Sequence, residues 1–312
     1  MTTSPYVITA ISHSAAFPEG FQEGFLQFLN QGHEQLTLDS HNTLSTRAID
    51  YFVGAPSLDE VKATVAKYTN QQEIDLVFQK NDEFRRNKKL VVFDMDSTLI
   101  YQEVIELIAA YAGVEDKVAE ITNRAMNNEL DFVQSLQARV ALLKGIKTKT
   151  LYDEIKDKLL VTEGVPELTK GLGRTGCKLA VLSGGFTPFA NYMKETLHLD
   201  YARANFLATE IDPTTGEEVL SGHTIGDIVD GQCKAKTLLQ LAKEYDVPVE
   251  STVMVGDGGN DLPAMGVAGF GIAWNAKPKV QEAAPCKLNT KSLRDAFYVF
   301  GYTDDEIVQL LK

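Results

Sequence analysis

The chain has 312 residues, of which 44% are hydrophobic and 23% charged, and 30 Lys and Arg stand against 43 Asp and Glu for a net charge of −13. That length can bury the cores of about two domains, and the balance excludes a disordered chain, a collagen and a coiled-coil rod. An acidic field repels nucleic-acid phosphate and anionic lipid, so no nucleic-acid and no membrane partner is expected. A small anionic substrate then needs a local device to draw it in. Cys177, Cys233 and Cys286 form no CxxC pair and are odd in number, which argues against a disulfide framework and for a reducing compartment. The scattered histidines argue against a structural zinc site. The opening MTTSPYVITAISHSAAF lacks a basic region followed by an apolar run, and no spanning hydrophobic stretch follows. The expectation is a soluble, cytoplasmic protein.

Residues 1 to about 80 read as a small alternating unit. Tyr6 to Ile11 is rich in β-branched residues and predicts a strand. Phe21, Phe25, Phe28 and Leu29 recur at helical spacing, and Ala48 to Val53 predicts another strand. Ser57 is a candidate N-cap for a helix carrying Leu58, Val61, Val65 and Tyr68, with Glu60 three residues on. Ile74, Leu76 and Phe78 alternate as in a strand. The outline is β-α-β-β-α-β, a small α+β domain over 1–84. Asn81 to Lys89, NDEFRRNKK, is the most charged stretch and reads as a linker or joint.

Four short apolar runs follow: Leu90 to Phe93, Lys178 to Leu182, Thr252 to Val255 and Gly269 to Ala273. Such runs fit buried parallel strands, and the helical patterns between them predict a doubly wound α/β sheet over 85–102 and 161–312. Residues 103–160 carry four helical apolar stripes, beginning at Val104, Val118, Phe132 and Leu151. One crossover does not need so many residues, so this insert reads as a four-helix cap. Asp212-Pro213-Thr214-Thr215-Gly216 signals a turn, hence a hairpin flap over Ala208 to Thr224 with His223 on it.

The chemistry gathers at the strand ends, where open α/β sheets bind ligands. Asp94-Met95-Asp96 follows the first core strand, and Gly256-Asp257-Gly258-Gly259-Asn260-Asp261 follows the third. Asp94, Asp96 and Asp257 then converge and repel one another unless a cation intervenes, and hard oxygen ligands suit Mg²⁺. Ser183-Gly184-Gly185 after the second strand offers a hydroxyl and open N–H groups to phosphate oxygens. Lys234 or Lys236, near a helix start, can supply a point charge, and pattern alone does not choose between them. GxxxxGK[ST], GxGxxG and GxSxG are all absent. Phosphoryl transfer is the most economical chemistry, with Asp94 as nucleophile and Asp96 as general acid and base.

DMDSTLI at 94–100, LSGGF at 182–186, DGQCKAK at 230–236 and GDGGNDLPAM at 256–265 resemble the four motifs of the haloacid-dehalogenase-like hydrolases. EVIELIAAYAG and ITNRAMNNELDFVQSLQARVALLKG narrow the likeness to the phosphoserine-hydrolysing branch, and WNAKPKVQEAAPCKLNTKS to its fungal members. The resemblance implies a Rossmann-like core, Mg²⁺ as cofactor and O-phospho-L-serine as substrate, in the last step of serine biosynthesis. It implies that Asp94, the Asp96 backbone carbonyl and Asp257 hold the metal. It implies that Ser183, Gly184, Lys234 and Asn260 hold phosphate and that Asp261 supports the lysine. In the cap it implies Glu103 for the substrate ammonium, Arg139 for its carboxylate, and Met126 and Phe132 as apolar closures. The N-terminal unit is similar to ferredoxin-like or ACT-like regulatory domains; a scaffold or dimerising role is the preferred expectation for it, and regulatory binding of an amino acid the alternative. Monomer and homodimer both stay open. An alternative within the same fold is a phosphatase or phosphotransferase for another small phosphate ester. A non-catalytic binding protein is disfavoured by the intact acidic set.

Overall fold

The computed structural model describes residues 4–31, 36–68, 73–126 and 129–312. The N-terminal unit is a sheet of β1 (Tyr6–Ser12), β2 (Thr37–Ser45), β3 (Ala48–Gly54) and β4 (Ile74–Lys80), antiparallel throughout in the order β2-β3-β1-β4. Helices Phe21–Leu29 and Leu58–Val65 cover one face, placing Phe21, Phe25, Val61 and Val65 against Ile8, Tyr51 and Val53. Ser57 caps the second helix, its Oγ accepting from the Glu60 backbone N–H at 3.2 Å. The opposite face sends Ile11, Ala48 and Val77 into the core of the larger unit. β1 is therefore buried on both sides and reads as an almost unbroken apolar run.

The charged segment, expected as a linker or joint, is a packed joint. It holds a short helix, Glu83–Arg86, and Arg85 is buried. The Arg85 guanidinium donates through both terminal nitrogens to the two Asp50 carboxylate oxygens at 2.8 Å, and its Nε donates to the Val299 carbonyl at 3.3 Å. A bidentate pair of this kind fixes orientation as well as distance. Gln79 Nε2 donates to the same carbonyl at 2.8 Å, and Asp75 accepts from the Asn289 side chain at 3.1 Å.

The core sheet comprises β5 (Leu90–Phe93), β6 (Lys178–Phe186), β7 (Tyr201–Ile211), β8 (Glu218–Ile225), β9 (Thr252–Gly256), β10 (Phe270–Trp274) and β11 (Cys286–Leu288). Its order is β11-β10-β9-β5-β6-β7-β8, and only β8 runs antiparallel. β5 lies at the centre, flanked by β6 and β9, so the direction of winding reverses at its carboxyl end. That is where a doubly wound sheet opens a crevice.

The chain leaves the core after β5 and returns beside its own exit, with Tyr101 N donating to Leu160 O at 3.0 Å and Thr162 N to Leu99 O at 2.9 Å. Among the described residues, four helices stand between these points: Val104–Ala112, Glu115–Met126, Phe132–Ala141 and Thr148–Lys156. Val104, Ile108, Val118, Leu136, Val140, Leu151 and Ile155 are buried among them. The β7–β8 hairpin, turning through Asp212, leans on this cap: Gly145 N donates to Leu220 O at 2.7 Å, and Leu220 N to Ile146 O at 2.8 Å. His223 is exposed on it. Among the described residues no helix is long and apolar enough to cross a membrane.

Candidate active site

β5 ends at Phe93, and the Asp94 backbone N–H still donates to Val255 O at 2.9 Å, which fixes the carboxylate at the strand end. The chain then kinks: Asp96 is extended and Ser97 takes φ 53, which turns the backbone away from the strand direction just after the two aspartates, already on one face at i and i+2. Asp94 Oδ1 accepts from Met95 N at 2.7 Å and from Lys234 Nζ at 2.9 Å. Both contacts fall on one oxygen, which leaves Oδ2 open. Asp96 Oδ1 accepts from Val104 N, the first residue of the cap's first helix, at 2.9 Å, and its Oδ2 from Ser183 Oγ at 3.4 Å. Asp96 thus ties the cap to the core.

Ser183, Gly184 and Gly185 do not form a turn beyond the strand. They are a bulge inside β6, where pairing with β7 skips from Leu182↔Arg203 to Phe186↔Asn205. The skipped residues are released from the ladder to face the site. Ser183 Oγ accepts from Gly185 N at 2.8 Å, and Asn205 Nδ2 donates to Gly184 O at 2.8 Å, so the bulge is held from behind. A Cβ on Gly184 would stand 2.7 Å from Phe132 Cζ, too close for any larger residue while Phe132 lies over the site.

Lys234 is fully buried on helix Gly231–Glu244, whose N-cap Asp230 accepts from Cys233 N at 2.8 Å. Its ammonium donates to Asp261 Oδ1 at 2.6 Å as well as contacting Asp94. The structure therefore brings Lys234 into the site, the alternative that pattern alone left open. Asp261 Oδ2 accepts from Gly258 N at 3.0 Å, so both its oxygens are engaged. Asp257 Oδ1 accepts from the Thr98 hydroxyl at 3.4 Å.

The Asp94, Asp257 and Asp261 carboxylates present oxygens within 4.8 Å of one another. Burial raises Asp94 well above the usual carboxylate range, with Asp261 adding to the rise and Lys234 opposing it. Burial, then Glu103, pushes Asp96 up to about 7; burial, then Asp261 and Glu103, pushes Asp257 up to about 7. Burial pulls Lys234 down, but Asp261 and Asp94 outweigh it and hold the ammonium above its ordinary value. One lysine does not balance this many buried carboxylates. An all-oxygen donor set with uncompensated negative charge fits a hard divalent cation such as Mg²⁺.

Three of these carboxylates line a cavity of about 240 Å³, with Asp94, Asp96, Asp257, Gly184 and Asn260 as floor and Glu103, Phe132 and Arg139 from the cap as roof. Arg139 is half-buried and donates Nε to Ser135 O at 3.2 Å, which leaves its terminal nitrogens for a ligand. Burial lowers its pKa, and Glu103 and Asp96 counter this. Glu103 is exposed and accepts from Ser97 Oγ at 2.8 Å. Met126 closes helix Glu115–Met126, and its side chain lies outside the described residues. Residue-by-residue reading passed over Lys277, which lines the cavity rim, and Thr98 and Asn205, which brace Asp257 and Gly184 from below. Lys277 lay within the resemblance segment WNAKPKV; it is exposed, and only its place on the cavity rim singles it out.

An α/β sheet with an acidic cluster at its switch point, a buried lysine and an inserted cap defines a phosphoryl-transfer hydrolase of the aspartate type. Residues 88–269 match the family described as haloacid dehalogenase-like hydrolase, and the chain belongs to that family. It is 57% identical over 309 residues to the phosphoserine phosphatase of Saccharomyces cerevisiae, covering 97% of this chain and 98% of the relative. It is 41% identical over 260 residues to that of Streptomyces coelicolor, covering 83% and 62%. A solved phosphoserine phosphatase described as a phospho-aspartyl intermediate analogue superposes with TM-score 0.62 at 40% identity, over 68% of this chain and 98% of that one. A hydrolase of this family from Salmonella enterica serovar Typhi superposes with TM-score 0.76 at 26% identity, over 95% and 98%.

Proposed function

We propose that this chain hydrolyses O-phospho-L-serine to L-serine and phosphate, as the last step of serine biosynthesis, through an acyl phosphate on Asp94. The observation that carries the reading is the shared cavity. Glu103 and Arg139 face the same space as Asp94 and Asp96, so a ligand with an ammonium and a carboxylate meets complementary charge while its phosphate reaches the carboxylates. The names of the yeast and Streptomyces relatives support the same substrate.

The open oxygen of Asp94 attacks phosphorus, and the serine oxygen leaves with the proton of Asp96. Asp96 is suited to this because burial and Glu103 keep it protonated near neutrality. Water then attacks the aspartyl phosphate and gives its proton to Asp96, which returns Asp94 to its carboxylate and Asp96 to its acid and releases phosphate. Lys234, Ser183, the Gly184 and Gly185 backbone and Asn260 hold the phosphoryl oxygens while charge shifts among them. Asp94, Asp257 and the Asp96 carbonyl would hold Mg²⁺, which when bound supplies a Lewis acid for the phosphoryl group. Phe132 over Gly184 excludes water until the cap opens.

The test is phosphate release from L-phosphoserine with and without Mg²⁺, beside O-phosphoethanolamine, which lacks the carboxylate. Mg²⁺-dependent turnover with strong preference for L-phosphoserine is expected. Equal turnover of both esters, or preference for an unrelated one, would keep the core chemistry and discard this substrate.

A further inference from the structure

A second cavity, of about 270 Å³, opens on the seam between the small domain and the core. Its walls come from helix Leu58–Val65 and β4 on one side and from Lys88, Glu250 and Phe270 on the other. Lys88 is the feature that needs explaining. Its side chain is 6% exposed, and its ammonium lies between the rings of Phe270 and Phe300, 5.6 and 5.8 Å from their centroids. Among the described residues no carboxylate or carbonyl bonds it. An ammonium on so buried a side chain, set against two aromatic faces with only the distant charge of Asp82 and no ion pair, is costly to desolvate.

The rest of the lining is also cationic on balance. Lys62 and Lys80 face the cavity, and Arg85 does too, but its charge is spent on Asp50. Asp82 and Glu250 are the acidic members, both exposed, and Asp82 Oδ1 is already engaged in capping its own helix at Phe84 N, 3.0 Å away. In a chain of net charge −13 this local excess of positive charge stands out from its surroundings.

We propose that this seam is a binding site for a small oxyanion, a carboxylate or a phosphate, with Lys88 as its central cation and Lys62 and Lys80 at its mouth. The ion would supply the partner that the protein withholds from Lys88 and would join the two domains across the seam. Burial holds Lys88 down to about 8, so its charge is present at neutral pH, when the anion binds. The inference is independent of the chemistry proposed at Asp94.

The test uses the full-length chain and two probes, malonate and inorganic phosphate. Limited acetylation at pH 8, read by peptide mass spectrometry, reports Lys88 directly and so separates this site from phosphate bound near Asp94. At an anion concentration ~10 times its Kd, acetylation of Lys88 should slow about 10-fold while that of exposed Lys243 is unchanged. Protection by malonate alone assigns a carboxylate, and by phosphate alone a phosphate. Substituting Lys62→Ala with Lys80→Ala should weaken the protection. If burial keeps Lys88 from reacting, the thermal midpoint decides. The anion-dependent rise of wild type should shrink in Lys88→Met, which keeps length and fits between two phenylalanines. Unaltered Lys88 reactivity in both anions, or identical anion dependence of wild type and Lys88→Met, would overturn the site.

Discussion

Lys234 Nζ lies 2.9 Å from Asp94 Oδ1 and 2.6 Å from Asp261 Oδ1, with no part of the lysine side chain exposed. The lysine is thus both a structural counter-ion and the cation nearest the open oxygen of Asp94. Replacing it with methionine should cost about 10²–10³ in kcat, by analogy with other preorganised stabilisers of developing charge. It should also destabilise the fold by about 3–5 kcal/mol, because Asp94 and Asp261 are left buried without a partner. Phosphate-release kinetics and urea unfolding check the two effects separately. Unchanged turnover would remove Lys234 from the phosphate cradle.

Arg139 and Glu103 make a different prediction. Arg139→Ala should raise KM for L-phosphoserine about 10- to 100-fold, the range of a lost hydrogen bond to a charged group. KM for O-phosphoethanolamine should scarcely change, since that ester has no carboxylate. Equal losses on both substrates would make Arg139 a brace for helix Phe132–Ala141, through its bond to Ser135 O, and not a substrate contact.

Cation binding at the acidic cluster should release protons. Asp257 is held up to about 7, so it carries a proton in the metal-free site at mildly acid pH, and burial raises Asp94 in the same direction. A ligand carboxylate must lose its proton, so Mg²⁺ affinity should fall about tenfold per pH unit below 7 for each proton displaced. Calorimetry at pH 6 and pH 8, in buffers of different ionisation enthalpy, reads both the affinity and the proton count. Equal affinity at the two pH values would show that the cation does not bind these carboxylates.

Lys88 predicts a pH dependence of stability. Its value is lowered by burial from 10.5 to about 8, against Asp82, which raises it. Between those values the unfolded chain binds more protons than the native one, so stability rises with pH across this window. Below pH 8 the full cost, about 3 kcal/mol, is present. Lys88→Met should therefore be the more stable protein at pH 7, with its advantage fading as pH rises to 10.5. Urea unfolding of both proteins at several pH values in anion-free buffer measures the difference. A constant difference across the window would mean that Lys88 is not desolvated.

The strand-end motifs were legible in the sequence because a parallel strand buried on both faces is an apolar run, and the polar residues that follow it have nowhere to sit but the crevice. Asp94, Ser183 and Asp257 were found that way. The cap was legible from four amphipathic stripes. β2 was not located, because Thr37–Ser45 is an edge strand whose residues are mostly exposed and which lacks an apolar alternation. Ser183 to Gly185 were placed after the second strand rather than in a bulge inside it, since glycines signal strand ends and bulges alike and only the pairing with β7 separates them. The joint at Arg85 and the buried Lys88 were invisible because a charged stretch usually marks a solvated linker. Their partners, Asp50, Val299 and Phe270, are remote in sequence.

The central claim is that phosphorus passes through Asp94. Acid quenching of the enzyme during turnover of ³²P-labelled L-phosphoserine, followed by reduction with borohydride and peptide mapping, tests it directly. The account predicts label on the peptide carrying Asp94, conversion of that residue alone to homoserine, and loss of both label and turnover in a folded Asp94→Asn variant. Label on another residue, or wild-type turnover by Asp94→Asn, would contradict it.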